Sequence, residues 1–398
     1  MIKFGTGGWR AIIGDDFIKE NIQILAQAVA NFMKTKNIHS FGFVIGYDRR
    51  FLSDKAARWF SEVLVANDIK IYFINKVAPT PLVMFTIQKL NTKFGATITA
   101  SHNPADYNGI KLFIEGGRDA PQEVTSEIEK IANSLGKEEV KQIKFEHALK
   151  HGKIVIIDPF DDYIDTILSM IDTEAIRKRK LKIILDPMYG VSRTSLQTIL
   201  ITTRCDLDII HERHDTLFGG RLPSPSSSTL YRLKNLVIEK GYDLGIGTDG
   251  DADRVGIIDE KGNFIHPNEV LVILYYYFLK YKGWKGPVVR NLATTHLLDR
   301  IAHSFGEECY EVPVGFKYIS AKMEETNAII GGESSGGLTI RGHIKGKDGI
   351  FAASLLVELI CKTNKKISEI LDEIYSQYGK LYIKENDFSF EPEDKERM

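Results

Sequence analysis

Between Asn21 and Met33 the apolar residues Ile22, Leu25, Ala26, Val29, Phe32 and Met33 recur every three or four positions, the period of a helix with one buried face. The short apolar run Phe41 to Ile45 follows and ends in Gly46-Tyr47-Asp48, which predicts a strand running into a functional loop. The alternation continues with a helix over about Asp54 to Asn67, a strand Ile69 to Ile74, a helix over about Pro81 to Leu90 and a strand Phe94 to Thr99. A second series opens at Leu181-Lys-Ile-Ile-Leu185, with a loop Asp186 to Gly190, a helix to about Ile201 and a strand Leu207 to Ile210. A third opens at Val288-Val-Arg290, with helices over about Thr294 to Phe305 and Tyr318 to Glu325, and a strand Ala328 to Ile330.

Strands alternating with helices predict an α/β fold, here three consecutive similar α/β domains with mixed sheets covered by helices. The polar stretch His147 to Lys153 and the turn Glu260-Lys-Gly-Asn263 divide the chain into 1–150, 151–260 and 261–370. A helix over about Ile367 to Tyr378 and an acidic end make 371–398 a linker in this reading. A chain of 398 residues is too long for one compact core, in keeping with several domains.

Charge and cysteine usage narrow the chemistry. Lys plus Arg total 52 against 53 for Asp plus Glu, so no global field favours nucleic acid or an anionic membrane. The one basic run, Arg177-Lys-Arg-Lys180, is short, lacks aromatics and directly precedes an apolar strand, which reads as a solvated turn. Cys205, Cys309 and Cys361 form no Cys-x-x-Cys pair, which predicts neither a disulfide framework nor a thiolate zinc site and fits a reducing cytosol. The longest apolar run, Val270 to Leu279, is far below the ~20 residues of a membrane span. A soluble cytoplasmic protein acting on a small molecule is the expectation.

Two segments carry most of the chemistry. In Thr99-Ala-Ser-His-Asn-Pro104, proline disfavours a helical Asn103, so a rigid turn presents Ser101 and His102 at the carboxyl end of a strand, where α/β folds place chemistry. A helix-capping turn has the same composition. No Gly-x-Ser-x-Gly surrounds Ser101, which disfavours a hydrolase-type serine.

In Asp249-Gly-Asp-Ala-Asp-Arg254, carboxylates at alternate loop positions can converge on a hard cation, for which magnesium is the natural choice. A calcium loop would share Asp249, Asp251, Asp253 and Glu260, but its glycine position holds Arg254, and Val255 to Asp259 reads as a buried strand. A structural acidic turn would leave three carboxylates repelling one another.

Weaker signals surround these. Phe4-Gly-Thr-Gly-Gly-Trp-Arg10 permits close approach to an anion, with Arg10 to bind phosphate. Gly331-Gly-Glu-Ser-Ser-Gly-Gly337 makes Glu333 and Ser335 candidates for sugar hydroxyls. Lys111 and Lys317 occupy loop-like contexts that suit phosphate contact, although an exposed lysine is the commoner outcome.

Taken together, these four motifs, in their order along the chain, resemble the α-D-phosphohexomutases, the phosphoglucomutases and phosphomannomutases, over most of residues 1–380. The resemblance implies domains arranged around a central cleft. It implies that Ser101 carries a phosphoryl group, that Asp249, Asp251 and Asp253 hold Mg2+ with a phosphoserine oxygen, and that Glu333 and Ser335 grip sugar hydroxyls. Arg10, His102, Lys111 and Arg254 map to positions lining the phosphoserine site, with Lys111 and His102 the acid/base candidates.

The activity implied is interconversion of hexose 1-phosphate and hexose 6-phosphate, of glucose or mannose, through a hexose 1,6-bisphosphate that also serves as activator. The alternatives are a phosphosugar-binding protein with little turnover and a metal-dependent sugar phosphatase. Two departures stand out: Gly337 where many relatives place His, and no fourth domain with an Arg-x-Ser-Gly-Thr-type phosphate clamp before Met398. The fourth domain is therefore expected to be absent, and neither the hexose nor the oligomeric state follows from the sequence.

Overall fold

The computed structural model describes residues 1–5 and 7–384. The first sheet contains β1 (Phe4–Gly5), β2 (Gly8–Ile12), β3 (Phe43–Tyr47), β4 (Ile71–Ile74), β5 (Phe94–Ile98), β6 (Tyr107–Ile114), β7 (Arg118–Asp119) and β8 (Ile154–Ile157). Their order is β1-β2-β6-β5-β3-β4-β8, with β7 beside β6. The second sheet orders β9 (Lys182–Asp186), β10 (Asp206–Ile209), β11 (Leu244–Thr248), β12 (Val255–Ile258) and β13 (Phe264–Ile265) as β10-β9-β11-β12-β13. The third orders β14 (Val288–Asn291), β15 (Cys309–Val312), β16 (Ile330–Gly332) and β17 (Leu338–Ile340) as β15-β14-β16-β17.

Each sheet repeats one device. A parallel strand ends in a short loop and the chain returns antiparallel beside it: β5 to β6, β11 to β12 and β16 to β17. The three returning loops carry Ser101, the Asp249-to-Arg254 segment and Glu333 to Gly337, so equivalent corners of three sheets supply the candidate chemistry.

Side-chain alternation explains how the layers form. Phe43 and Ile45 of β3 join the core that includes Leu25, Val29, Phe60 and Leu64 of the helices Lys19–Thr35 and Ser53–Ala66. Val44, between them, joins the core on the other face with Val83 and Ile87 of the helix Thr80–Leu90. That helix lies so close that a Cβ at Gly46 would come within 2.5 Å of Val83, and one at Gly95 within 2.5 Å of Ile87.

The domain boundaries differ from the sequence expectation at three points. The strand β8 pairs in parallel with β4, so the first sheet runs past residue 150 to Ile157. The strand β13 pairs with β12, so the second sheet extends past 260. Residues 371–378 belong to the helix Ile367–Tyr378, which packs on the helix Pro267–Lys280, with Tyr276 Oη donating to Glu373 Oε1 at 2.8 Å. The proposed linker therefore cannot start at 371, and its residues 385–398 lie outside the described residues. Among the described residues no helix is long and apolar enough to cross a membrane.

The units share apolar cores. The helix Gly349–Thr363 follows the third sheet in sequence yet packs on β11, β12 and the helices Thr173–Arg179 and Ser192–Thr202 of the second unit. Its start is held by Asp348, whose Oδ1 accepts the N–H groups of Ile350 and Phe351 at 2.9 Å each. The other oxygen meets Tyr163 Oη at 2.8 Å and His343 Nε2 at 2.7 Å, all three side chains being buried. Asp348→Ala removes a helix cap and strands two buried polar groups, so it should lower the unfolding free energy by about 2–4 kcal/mol in urea denaturation. A loss below about 1 kcal/mol would show that the cap and the buried bonds are replaced by water.

Candidate active site

Ser101 adopts φ 53°, the left-handed region, which costs a non-glycine residue about 1 kcal/mol or more. Its surroundings hold it there. Its N–H donates to Thr99 Oγ1 at 2.8 Å, and its carbonyl accepts from Arg50 Nη2 at 2.7 Å. Arg50 also donates to the carbonyls of Asn103, Pro104 and Tyr107 at 2.6, 2.7 and 2.9 Å, clamping the whole turn. Asp48 orients this clamp: its Oδ1 accepts from the Arg50 N–H and Ser53 Oγ, and its Oδ2 from Thr99 Oγ1 at 2.6 Å. Burial pushes the Asp48 carboxyl up, and Arg50 opposes the shift.

The hydroxyl of Ser101 donates to Asp249 Oδ2 at 2.8 Å. Gly250 makes this approach possible, since a Cβ there would stand 2.7 Å from the Ser101 carbonyl oxygen. Asp249, Asp251 and Asp253 are completely buried and offer ligand atoms within 4.8 Å of one another. Lys111 Nζ bridges Asp251 Oδ2 at 2.6 Å and Asp253 Oδ2 at 2.7 Å. Lys347 Nζ stands 3.3 Å from Asp253 Oδ2, and Thr80 Oγ1 donates to Asp251 Oδ2 at 2.6 Å.

These contacts split the carboxylates. Burial and the two neighbouring aspartates raise Asp249 well above the ordinary range. Burial opposes ionisation of Asp251 and Asp253 as well, yet Lys111 holds both below it. Asp251 Oδ1 and Asp253 Oδ1 are buried without a hydrogen-bond partner. Hard oxygen donors, two of them unsatisfied, beside a hydroxyl fit Mg2+ through Asp249, Asp251, Asp253 and Ser101.

A cleft of about 260 Å³ opens above this floor, lined by Arg10, His102, Lys111, Arg254, Glu333 and Ser335. The third loop is docked on the second, with Arg254 bridging to Gly337 and the Val255 N–H donating to the Gly336 carbonyl at 3.3 Å. Glu333 is held by Asn291 Nδ2 at 3.3 Å, the Gly315 N–H at 3.2 Å and Ser335 Oγ at 3.4 Å. Arg10 Nη1 donates to Asn103 Oδ1 at 2.5 Å. A larger hollow of about 350 Å³, between Gln88 and the helix Phe316–Thr326, contains none of these groups.

Lys317 departs from the expectation. It does not line the cleft; its Nζ donates to Gln122 Oε1 at 2.7 Å, and it lines a recess of about 10 Å³ on the far side of Gly7, Lys111 and Asp119, which the cleft and the recess share. The cation that does enter is Lys347, ten residues beyond Gly337, and a Cβ on Gly337 would stand 2.2 Å from its Cδ. Lys347, Arg50 and Thr80 are absent from the sequence expectation, and Asp48 enters it only as the start of a functional loop, with no role of its own. For Arg50 a signal existed, a charged residue just beyond the predicted strand-to-loop junction at Asp48; isolated Thr80 and Lys347 carried none.

The two acid/base candidates differ in state. His102 Nδ1 lies 3.4 Å from Ser101 Oγ. Burial, Arg254 and Arg10 push its pKa down to about 2, so it stands as a neutral imidazole. Lys111 is the reverse: burial disfavours its charge, but Asp251 and Asp253 hold it as an ammonium.

Comparison with known proteins shows the family. Models of the phosphoglucomutase/phosphomannomutase alpha/beta/alpha domains I, II and III match residues 1–139, 161–262 and 266–378. A phosphoglucomutase/phosphomannomutase of Thermococcus kodakarensis is 31% identical over 94% of this chain and 80% of its own length. The chain belongs to the phosphoglucomutase/phosphomannomutase family.

Other members of the family differ in the sugar they are named for. The phosphoglucosamine/phosphogalactosamine mutase of Sulfurisphaera tokodaii is 28% identical over 94% of this chain and 81% of that protein. A crystal structure from Thermus thermophilus, provisionally described as a phosphomannomutase, superposes with a TM-score of 0.87 at 30% identity, covering 95% of this chain and 84% of that one.

With burial and two guanidinium groups both opposing protonation, the His102 ring of the unphosphorylated protein should remain neutral from pH 8 down to pH 5. Two-dimensional 15N NMR of the ring nitrogens checks this, and an imidazolium pattern at pH 6 would contradict it.

Proposed function

We propose that this protein interconverts a hexose 1-phosphate and a hexose 6-phosphate by way of a phosphoryl group carried on Ser101. The observation behind this reading is the 2.8 Å approach of the Ser101 hydroxyl to a buried aspartate trio across two different sheets. A capping serine needs no such neighbours.

Bound at Asp249, Asp251, Asp253 and Ser101, Mg2+ would neutralise the charge that makes a phosphoryl group resist attack. Around it, Arg10 and Arg254 face the cleft as fixed positive groups suited to phosphoryl oxygens. Glu333 accepts from sugar hydroxyls and Ser335 can donate or accept, orienting the ring.

In one half-reaction the phosphoryl group leaves Ser101 Oγ for a sugar hydroxyl oxygen, giving a hexose 1,6-bisphosphate. In the other, the bisphosphate turns over and Ser101 Oγ takes back the other phosphoryl group. In the first transfer the attacking sugar hydroxyl gives up a proton and the departing Ser101 Oγ takes one, and in the second Oγ gives up a proton and the departing sugar oxygen takes one; His102 Nδ1, 3.4 Å from Oγ, is placed to relay them. Its imidazole is neutral in the unphosphorylated site, and the negative charge of a phosphoryl group beside it would offset Arg254 and Arg10, which weaken it as a base there. Free hexose 1,6-bisphosphate would act as activator by phosphorylating an empty Ser101.

The substrate class is a small-molecule sugar phosphate, of glucose or mannose; relatives named for glucosamine and galactosamine phosphates add the amino sugars. Intact-mass analysis should show a gain of about 80 daltons after incubation with glucose 1,6-bisphosphate, absent in Ser101→Ala. The same variant should lose conversion of glucose 1-phosphate in a coupled assay. Full conversion by Ser101→Ala, or release of inorganic phosphate with no isomer formed, would overturn the reading.

A further inference from the structure

Lys111 stands in two places at once. Its side chain lines the cleft where the mutase reading puts a phosphate ester, yet its Nζ is bound to Asp251 and Asp253, which that reading gives to the cation. Its backbone cannot follow either ligand, because β6 is paired to β5 with Lys111 opposite Thr97 and to β2 on its other edge. What can move is a flexible four-carbon stem carrying a compact charge.

We propose that Lys111 is a shared counter-ion: its ammonium neutralises the aspartates while the site is empty, and an anionic sugar phosphate draws it toward the cleft. Cation binding at the trio and sugar-phosphate binding then strengthen each other. The proposal rests on the mutase reading for the identity of the two ligands.

The surrounding groups support an exchange. An ammonium 2.6 and 2.7 Å from two carboxylates repels a divalent cation approaching the same pair. Once Lys111 leaves, Asp253 keeps Lys347 at 3.3 Å, and Asp251 keeps the Thr80 hydroxyl at 2.6 Å. Neither carboxylate is stranded. Arg10, by contrast, is tied to Asn103 within its own domain and touches none of the three aspartates in a hydrogen bond, so it can attract the anion without freeing the cation site. Reciprocity follows from linkage: whatever factor the sugar phosphate adds to cation affinity, the cation adds to sugar-phosphate affinity.

The test uses the unphosphorylated chain of 398 residues, in which no turnover occurs, with Mn2+ as the probe read by electron paramagnetic resonance. For the wild type, saturating glucose 1-phosphate should tighten Mn2+ binding by about tenfold, within the range usual for coupled sites. For Lys111→Met, Mn2+ should bind about tenfold more tightly than to wild type without sugar phosphate, and glucose 1-phosphate should add less than about twofold.

A variant that binds Mn2+ no better than wild type, or one that keeps the full coupling, overturns the proposal. So does wild-type protein whose Mn2+ affinity ignores glucose 1-phosphate, whatever its mutase activity. If Lys111→Met does not fold, 13Cε-lysine NMR of the wild type decides, the Lys111 resonance being assigned with Lys111→Arg. A shift on adding glucose 1-phosphate supports the exchange, and a resonance unmoved by both ligands rules it out. Because these are equilibrium measurements, they stand apart from the Ser101 experiments, which decide whether the protein is a mutase at all.

Discussion

Three carboxylates buried within 4.8 Å of one another are the constraint to which the rest of the site answers. In so dry a place uncompensated negative charge is very costly. Lys111, on a strand of the first unit, and Lys347, on a loop of the third, reach in to meet it; Thr80 adds a hydroxyl, and Ser101 donates a hydrogen bond to Asp249. The first and third units are thus drawn onto the second by charge as well as by apolar packing.

The topology that brings these groups together was partly legible. Runs such as Phe94 to Thr99 and Leu181 to Leu185 announce themselves because they are apolar, short and followed by turn residues, and the structure places β5 and β9 there. The strand β8, with Ile154-Val-Ile-Ile157, follows a polar stretch and reads as the opening of the next unit. Only its pairing with β4 assigns it to the first. Strand pairing across more than 80 residues leaves no local trace in composition.

For the site itself, residues that act through their own motif could be read, and those that act through a distant contact could not. Asp249, Asp251 and Asp253 stand at alternate positions in one loop, and the loop alone suggests a cation. Thr80 opens an ordinary helix and gains its role from a carboxylate 171 residues away. Lys317 and Lys347 show the same limit from both sides: each is a lysine close to a glycine in sequence, and only folding places the first in the helix Phe316–Thr326 and the second in the cleft. Gly337 becomes intelligible for the same reason, since the Lys347 stem fills the volume a side chain there would need.

The packing of the helix Gly349–Thr363 on the second sheet bears on how this architecture can be recombined. A chimera that exchanged residues 266–378 alone would replace part of the apolar cover of β11 and β12 with a helix fitted to another sheet, against the strands that carry the aspartate loop. Exchanging the second and third units together keeps that helix on its own sheet, and leaves the face that meets Val44, Val83 and Ile87 of the first unit to be matched. Sequence drift in that helix should accordingly track drift in the sheet it covers rather than in the sheet it follows.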